Sequence, residues 1–177
     1  MGEFLQKFCP NEFIDSVTAI NVEGLRSRGI KALLMDLDNT LVAWQGYDIP
    51  DEIINWVREA SVCGMKVCLV SNTRTSGRLD RISSILGVGF AVKAMKPRRA
   101  GFIEALNLLG VSSNEAAVIG DQIFTDVLGG NRLGIYTILV RPMHRREFFG
   151  TKISRFFEFF LMRLFRKRGW LEKSPNK

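Results

Sequence analysis

The chain has 177 residues, and 46% of them are hydrophobic, which matches one globular domain. This composition excludes a disordered tail, a fibrous repeat and a disulfide-stapled miniprotein, and the three cysteines lack the CxxC spacing of a zinc site. Residues 1–140 carry 14 basic and 15 acidic side chains, a net charge of −1, whereas residues 141–177 carry 11 basic and 3 acidic side chains, a net charge of +8. Attraction to an anionic partner is therefore expected mainly from the last 37 residues.

Short apolar runs alternate with segments of helical length. Runs typical of strands buried on both faces of a parallel sheet lie at residues 30–35, 67–70, 90–92, 116–119 and 136–140. Apolar residues at helical spacing predict helices at residues 51–62, 77–86, 98–109 and 123–133. The alternation predicts an α/β fold, doubly wound and Rossmann-like, with a five-stranded parallel sheet.

These elements predict a single domain over residues 1–177. Its core spans about residues 29–142, with an N-terminal extension (1–28) whose role the sequence leaves open and a basic tail (143–177). No signal-peptide pattern opens the chain, and no apolar run reaches the roughly 18 residues of a membrane span. We therefore expect a cytoplasmic protein.

Polar residues follow the predicted strands where they end. They are Asp36 and Asp38 after the first strand, Ser71 and Asn72 after the second, Lys96 before the third helix, and Asp121 with Asp126 after the fourth strand. Ligands of open α/β sheets bind outside the carboxyl ends of the strands, so we expect these loops to converge on one crevice. Four carboxylates together need a cation, and hard oxygen ligands suit Mg²⁺.

A phosphate group would complete the neutralisation of this crevice. Lys96 and the Ser71 hydroxyl, with Asn72 beside it, are the candidate phosphate-binding groups. The two neighbouring acids admit a division of labour, in which Asp36 attacks phosphorus as the nucleophile. Asp38 would protonate the leaving alkoxide and later deprotonate the water that hydrolyses the aspartyl phosphate.

The motifs Asp36-Leu37-Asp38-Asn39-Thr40-Leu41, Ser71-Asn72, Lys96-Pro97 and Gly120-Asp121 with Thr125-Asp126 resemble, in order and spacing, the four motifs of the haloacid dehalogenase (HAD) superfamily of phosphatases. The stretch at residues 120–132 is similar to the YqeG group of subclass IIIA, which also resembles mitochondrial phosphatidylglycerophosphate phosphatases.

The resemblance implies a set of residue roles. Asp36 would be the nucleophile and a Mg²⁺ ligand, and Asp38 the acid/base and a backbone-carbonyl ligand. Ser71 and Lys96 would bind the phosphoryl group, and Asp121 would bind Mg²⁺. Asp126 would act on the metal directly, or through a water or Lys96.

The spacing of the motifs leaves no room for a cap domain. Only 30 residues, 41–70, separate the first two motifs. An uncapped crevice resembles that of HAD members acting on large substrates, which cover the site themselves. A membrane headgroup or a macromolecule would fit.

The tail predicts a basic amphipathic helix at residues 152–168. Apolar Ile153, Phe156, Phe157, Phe160, Leu161 and Leu164 fall on one face, and basic Lys152, Arg155, Arg163 and Arg166 fall opposite. Three interpretations stay open: an interfacial membrane anchor, packing on the core or against a second copy, and RNA binding. No RNA-binding motif supports the third, so nucleic acid is disfavoured.

The leading hypothesis is a Mg²⁺-dependent phosphomonoester hydrolase that forms an aspartyl phosphate. The family resemblance, the missing cap and the tail favour phosphatidylglycerophosphate as substrate and peripheral contact with the inner face of the membrane. The alternatives are a phosphatase of a soluble or macromolecular phosphate and a non-catalytic RNA- or ribosome-associated binding protein. The sequence leaves the oligomeric state open.

Overall fold

A parallel sheet forms the centre of the protein, of which the computed structural model describes residues 2–73, 76–91, 94–144 and 149–171. Six strands pair in the spatial order β1-β6-β5-β2-β3-β4, and every pair is parallel. The strands are β1 (Glu12–Ile14), β2 (Ala32–Met35), β3 (Lys66–Val70), β4 (Gly89–Ala91), β5 (Ala116–Gly120) and β6 (Tyr136–Val140).

Helices connect the strands and cover both faces of the sheet. They are α1 (Gly2–Gln6), α2 (Val22–Ser27), α3 (Asp51–Val62), α4 (Ser76–Leu86), α5 (Arg99–Leu109), α6 (Leu128–Asn131) and α7 (Phe149–Lys167). Short 3₁₀ turns occupy Val17–Ala19 and Ser113–Glu115, and a π-helical turn, Ile123–Val127, leads directly into α6.

The predicted doubly wound α/β fold is confirmed, but the expected count of five strands is one short. The missed strand, β1, pairs with β6 at the edge of the sheet. It has three half-buried residues, too few to produce a readable apolar period. The predicted helix at 123–133 is divided, since its first turn is π-helical. Val92, at the end of one predicted strand, lies outside the described residues.

Alternate strand residues face two separate apolar layers. Leu33 and Met35 of β2 pack in one layer with residues of α3 and α4, while Leu34 packs in the other layer with Phe102 of α5. Burial on both faces explains why the central strands are continuous apolar runs. Residues 36–65, between β2 and β3, contain one helix, α3, and no inserted domain.

The C-terminal helix α7 packs on the loop after β5 and on β6. Phe165 is fully buried and contacts a cluster with Ile123, Val127 and Leu139. The expected division of the helix into faces is wrong in one respect: Arg155, assigned to the solvent side, points inward to Asp121. Phe156 and Phe160 are instead exposed. The side chains of Lys152 and Ile153 lie outside the described residues.

The described helices differ from membrane-spanning segments. None of those within residues 2–73, 76–91, 94–144 and 149–171 combines the length and apolarity needed to cross a bilayer.

The packing of α7 predicts unequal effects for two phenylalanines on the same helix. Phe165→Ala leaves a cavity in a fully buried site and should lower the free energy of unfolding by about 3–5 kcal/mol. Phe160→Ala, at a ring that is 53% exposed, should change it by less than about 1 kcal/mol. Urea denaturation measures both values, and equal effects would contradict this placement of α7.

Candidate active site

The first acidic residue of the site extends the end of β2. The backbone N–H of Asp36 donates to the carbonyl of Ile119 at 2.8 Å, which continues the ladder with β5 and fixes the residue at the carboxyl edge of the sheet. The chain then turns at Asn39, whose φ of 61° lies in the left-handed region that asparagine tolerates. This turn leaves the Asp36 side chain buried in the crevice.

Three buried carboxylates converge on one point. Asp36, Asp121 and Asp126 each offer an oxygen within 4.8 Å of the other two. The Lys96 ammonium contacts Asp36 Oδ1 and donates to Asp126 Oδ1 at 2.6 Å. The Thr40 hydroxyl lies 3.3 Å from Asp36 Oδ2 and 3.4 Å from Asp121 Oδ1. We call Asp36, Lys96, Asp121 and Asp126 the carboxylate–lysine cluster.

Asp126 fits the cluster because residue 120 has no side chain. A Cβ on Gly120 would lie 2.3 Å from Asp126 Cγ, well inside contact distance. The carboxylate uses that space, and its Oδ2 accepts the backbone N–H of Gln122 at 3.1 Å. The Gly-Asp pair at the end of β5 thus supplies one acid and the room for a second.

Lys96 is held by its backbone as well as by its charge. Its N–H donates to Asn72 Oδ1 at 2.6 Å, and its carbonyl accepts from Asn72 Nδ2 at 3.0 Å. The Asn72 amide therefore fixes the loop that carries the ammonium. Ser71, directly before it, is buried, and its hydroxyl accepts from Thr73 N at 3.2 Å.

Asp38 lies outside the cluster of buried carboxylates. The Arg78 guanidinium of α4 binds both of its oxygens, at 3.0 and 2.9 Å, and Gln45 N donates to it at 2.9 Å. Arg78 also donates to the Gly46 carbonyl at 2.8 Å, so one buried arginine holds Asp38 and the following loop together. Arg78 was not predicted from the sequence, since no neighbouring residue marks it as part of the site.

The tail also contributes to the site, which was not predicted from the sequence. Arg155 of α7 binds both the carboxylate and the backbone carbonyl of Asp121. Glu158, one turn on, accepts from Ile123 N at 2.8 Å and from Arg155 at 3.0 Å. Glu158 is the single acid between residues 148 and 171, and this could have signalled an inward-facing pair.

Burial dominates the electrostatics of the cluster. It raises the pKa of Asp36 from 3.8 to about 6, although Lys96 opposes the shift. It also raises the pKa of Asp121 well above its usual value, against the opposing charge of Arg155. Burial by itself would lower the pKa of Lys96, but the carboxylates of Asp126 and Asp36 outweigh it and raise that pKa.

This donor set fits Mg²⁺. Three ionised carboxylates against Lys96 and Arg155 leave one negative charge in a buried site, which disfavours the ionised forms. A divalent cation with a preference for oxygen ligands would relieve this. Arg155 binds Oδ2 of Asp121, whereas Oδ1 lies 3.4 Å from the Thr40 hydroxyl. One oxygen of Asp121 lies within 4.8 Å of oxygens of Asp36 and Asp126.

Comparison with known proteins identifies the family. A family model described as HAD-hydrolase-like matches residues 94–142, which hold Lys96, Asp121 and Asp126. The chain is 37% identical over 165 residues to a probable phosphatase, YqeG, of Bacillus subtilis (strain 168), covering 93% of this chain and 95% of that protein. The chain belongs to the YqeG family of HAD-type phosphatases. It is therefore a phosphoric monoester hydrolase by family.

Other relatives cover less of their own length or share only the fold. A phosphatidylglycerophosphate phosphatase of Arabidopsis thaliana is 30% identical over 146 residues, which cover 78% of this YqeG-family chain and 42% of that protein. A crystal structure of an uncharacterized Listeria monocytogenes protein aligns with a TM-score of 0.53 at 22% identity, covering 67% of this chain and 85% of that one. This last likeness supports the fold.

The raised carboxyl pKa values predict that Mg²⁺ stabilises the protein in a pH-dependent way. Without metal, the folded state holds these protons more tightly than the unfolded state, so their contribution to stability falls as pH rises from about 4 through about 6. The cation needs the ionised carboxylates, so it should stabilise the protein strongly at pH 7.5. Below about pH 6 the affinity for Mg²⁺ should fall by up to about tenfold per pH unit, and the stabilisation should fall with it. Thermal unfolding with and without Mg²⁺ at several pH values measures this.

Two variants make this experiment specific. Asp126→Asn should weaken the stabilisation by Mg²⁺, because it removes a carboxylate from the cluster. Asp15→Asn removes an exposed carboxylate on the surface and should respond to Mg²⁺ as the wild type does. A Mg²⁺ response that is independent of pH and of Asp126 would contradict a metal site in the cluster.

Proposed function

We propose that this YqeG-family phosphatase is a Mg²⁺-dependent enzyme that forms an aspartyl phosphate on Asp36, with phosphatidylglycerophosphate as its substrate. The observation that carries the proposal is the carboxylate–lysine cluster at the carboxyl edge of the sheet, where Asp36 is buried against one ammonium and two further carboxylates. Such a site has the nucleophile, the charge and the oxygen ligands that phosphoryl transfer needs.

The first step places the substrate phosphorus opposite Asp36. An Asp36 oxygen forms the new bond to phosphorus as the bond to the leaving alkoxide breaks. Lys96, held by Asn72, pairs with negative oxygens of the phosphoryl group, and the Ser71 hydroxyl donates to another. We assign Asn72 a phosphate contact through its backbone N–H, since its side chain holds Lys96.

Asp38 is the proposed proton donor and acceptor. It protonates the departing alkoxide, then takes a proton from the water that attacks the aspartyl phosphate, so inorganic phosphate leaves and both acids return to their starting states. Because Arg78 now binds both oxygens of Asp38, the acid step requires the carboxyl group to release Arg78 when the leaving group enters the crevice.

Asp36, Asp121 and Asp126 are the proposed carboxylate ligands of Mg²⁺, with the Asp38 backbone carbonyl as a further ligand. When bound, the cation supplies neutralisation of charge on the phosphoryl oxygens. Arg155 keeps Asp121 oriented, and Lys96 keeps Asp126 and Asp36 facing one another. The ligand residues are therefore fixed before substrate binds.

Three features support a lipid headgroup as substrate. The stretch between β2 and β3 carries no cap, so the crevice stays open to a large substrate. The Arabidopsis relative is a phosphatidylglycerophosphate phosphatase. A net charge of +8 in residues 141–177 suits a surface of anionic lipids.

The proposal also covers the place and the organisation of the enzyme. A phosphorylated lipid headgroup is presented at a membrane surface, so we place the enzyme in the cytoplasm, peripheral to the inner face of the membrane. We propose that residues 1–177 act as one domain, because β1 of the N-terminal extension joins the sheet and Arg155 of the tail contacts the site.

The direct test is phosphate release from phosphatidylglycerophosphate in mixed micelles, with and without Mg²⁺. The wild type should release phosphate only with Mg²⁺, and faster from the lipid than from an aryl phosphate. Asp36→Asn, which keeps the size of the side chain but removes the nucleophilic charge, should lower turnover at least about a thousandfold. Its far-ultraviolet circular dichroism should match the wild type.

The other outcomes separate the parts of the proposal. Turnover of the aryl phosphate alone would keep the reaction and exclude the lipid, leaving a soluble or macromolecular phosphate as substrate. Full activity of Asp36→Asn would contradict the aspartyl phosphate. If the wild type releases phosphate from neither compound, the result would contradict catalysis and favour a binding role.

A further inference from the structure

Four phenylalanine rings of α7 point away from the protein. Phe156, Phe157, Phe159 and Phe160 are 61, 54, 57 and 53% exposed. They contact one another edge to face, with ring centroids 5.0–5.7 Å apart, so they form a continuous aromatic surface. Exposed apolar groups scattered singly are ordinary, but a contiguous patch indicates an interaction site.

Basic residues continue the same side of the helix. Phe156, Phe160, Arg163 and Lys167 recur at intervals of three and four residues and form one outward stripe. Arg163 lies over the Phe159 ring at 5.6 Å, and Arg166 and Arg168 are also exposed. We call the four rings together with Arg163 and Lys167 the docking face. It is aromatic at one end and cationic at the other.

The helix turns that carry the docking face also contact the loop of the catalytic crevice. Arg155 and Glu158, on the inward side of the same two turns, bind Asp121 and the N–H of Ile123. Each exposed ring is thus within two residues of a side chain that holds the loop after β5. The opposite end of the helix is fixed by the fully buried Phe165. A surface held by the rings would therefore lie beside the site.

The charge of the docking face decides among occupants. A second copy packed through the same face would offer Arg163 and Lys167 only rings and further cations, since the docking face contains no acidic residue to pair with them. An anionic lipid surface accepts both parts, because rings enter the boundary between headgroups and acyl chains while basic groups pair with lipid phosphates. The pattern of phenylalanine with arginine and lysine is that of an interfacial helix rather than a core helix.

We propose that the docking face of α7 binds an anionic phospholipid surface and holds the carboxylate–lysine cluster beside it. The inference deepens the proposed function, and rests on it in that the substrate is a phosphorylated lipid headgroup. The rings provide the attachment, and the basic residues select anionic over zwitterionic lipid. Arg155 and Glu158 hold the attached helix against Asp121 and the loop that follows β5.

Sedimentation with vesicles tests attachment without using activity. The full chain should bind vesicles of phosphatidylcholine mixed with phosphatidylglycerol more tightly than phosphatidylcholine alone. The double variant Phe156→Gln and Phe160→Gln should bind at least about tenfold more weakly, because it removes two rings from the lipid boundary. A matched control is Ile103→Gln with Leu108→Gln, two exposed residues of α5.

The control residues are suited to this purpose by their position. Leu108 precedes Leu109, whose carbonyl accepts from Lys66 at the amino end of β3, so it lies at the far edge of the sheet from the site. The control variant should bind vesicles as the wild type does. Equal loss in both double variants would overturn the proposal, because any exposed apolar residue would then serve.

The electrostatic part has its own variant. Arg163→Gln with Lys167→Gln should remove most of the preference for phosphatidylglycerol. The affinity for vesicles containing this lipid should fall about fivefold for each charge removed. Salt of about 1 M, which shortens the screening length to about 3 Å, should have the same effect on the wild type. A preference unchanged by both would contradict charge selection by the docking face.

Three further readouts separate this inference from the proposed function. All variants should retain wild-type turnover of a water-soluble aryl phosphate, because no substituted residue contacts the cluster. Hydrolysis of phosphatidylglycerophosphate in vesicles should fall only in the docking-face variants. Vesicle binding by the docking face without lipid hydrolysis would uphold the docking surface and contradict the substrate. Lipid hydrolysis at wild-type rate in the ring variant, or a dimer in solution that this variant dissociates, would overturn the docking surface alone.

Discussion

The pairing of one buried ammonium with two buried carboxylates is the constraint on which this structure depends. Lys96 contacts Asp36 and Asp126, and all three side chains are almost entirely removed from solvent. Removing Lys96 would leave two buried carboxylates without their cation, which is strongly destabilising. Three features of the surrounding fold hold these side chains in place. Asn72 binds the Lys96 backbone, and Gly120 leaves room for Asp126. The hydrogen bond from Asp36 N to Ile119 holds Asp36 at the end of β2. The site is thus built before any ligand arrives.

The C-terminal helix has a buried side and an exposed aromatic side. It packs on the core through Phe165, and it still presents four exposed rings. The reason is the pair Arg155 and Glu158, which turns a polar surface of the helix inward to meet the loop after β5. An arginine assigned to solvent by its periodicity is instead half-buried against its charge partner, Asp121. This is how residues 149–171 become part of the site's support.

The strands and the candidate acids could be predicted because their signals are local. Continuous apolar runs marked β2, β3, β5 and β6, and polar residues directly after them marked Asp36, Ser71 and Asp121. What could not be predicted depends on contacts between distant residues. Strand β1 is too short to show a period and is defined by its pairing with β6. Arg78 and Arg155 join the site across 40 and 34 residues of sequence separation, so their partners Asp38 and Asp121 could not be identified from the sequence. The arrangement of the side chains in the carboxylate–lysine cluster therefore becomes visible only in the folded structure.

The most direct test of the account is whether Asp36 becomes phosphorylated during turnover. Rapid acid quenching of the wild type mixed with Mg²⁺ and phosphatidylglycerophosphate, followed by peptide mass spectrometry, detects the acyl phosphate before it hydrolyses. We expect one phosphoryl group on the peptide that contains Asp36. It should accumulate in Asp38→Asn given an aryl phosphate, because that leaving group needs little protonation while the second step still lacks its base. Steady turnover with no phosphorylated peptide in either protein, or with the phosphoryl group on another residue, would contradict it.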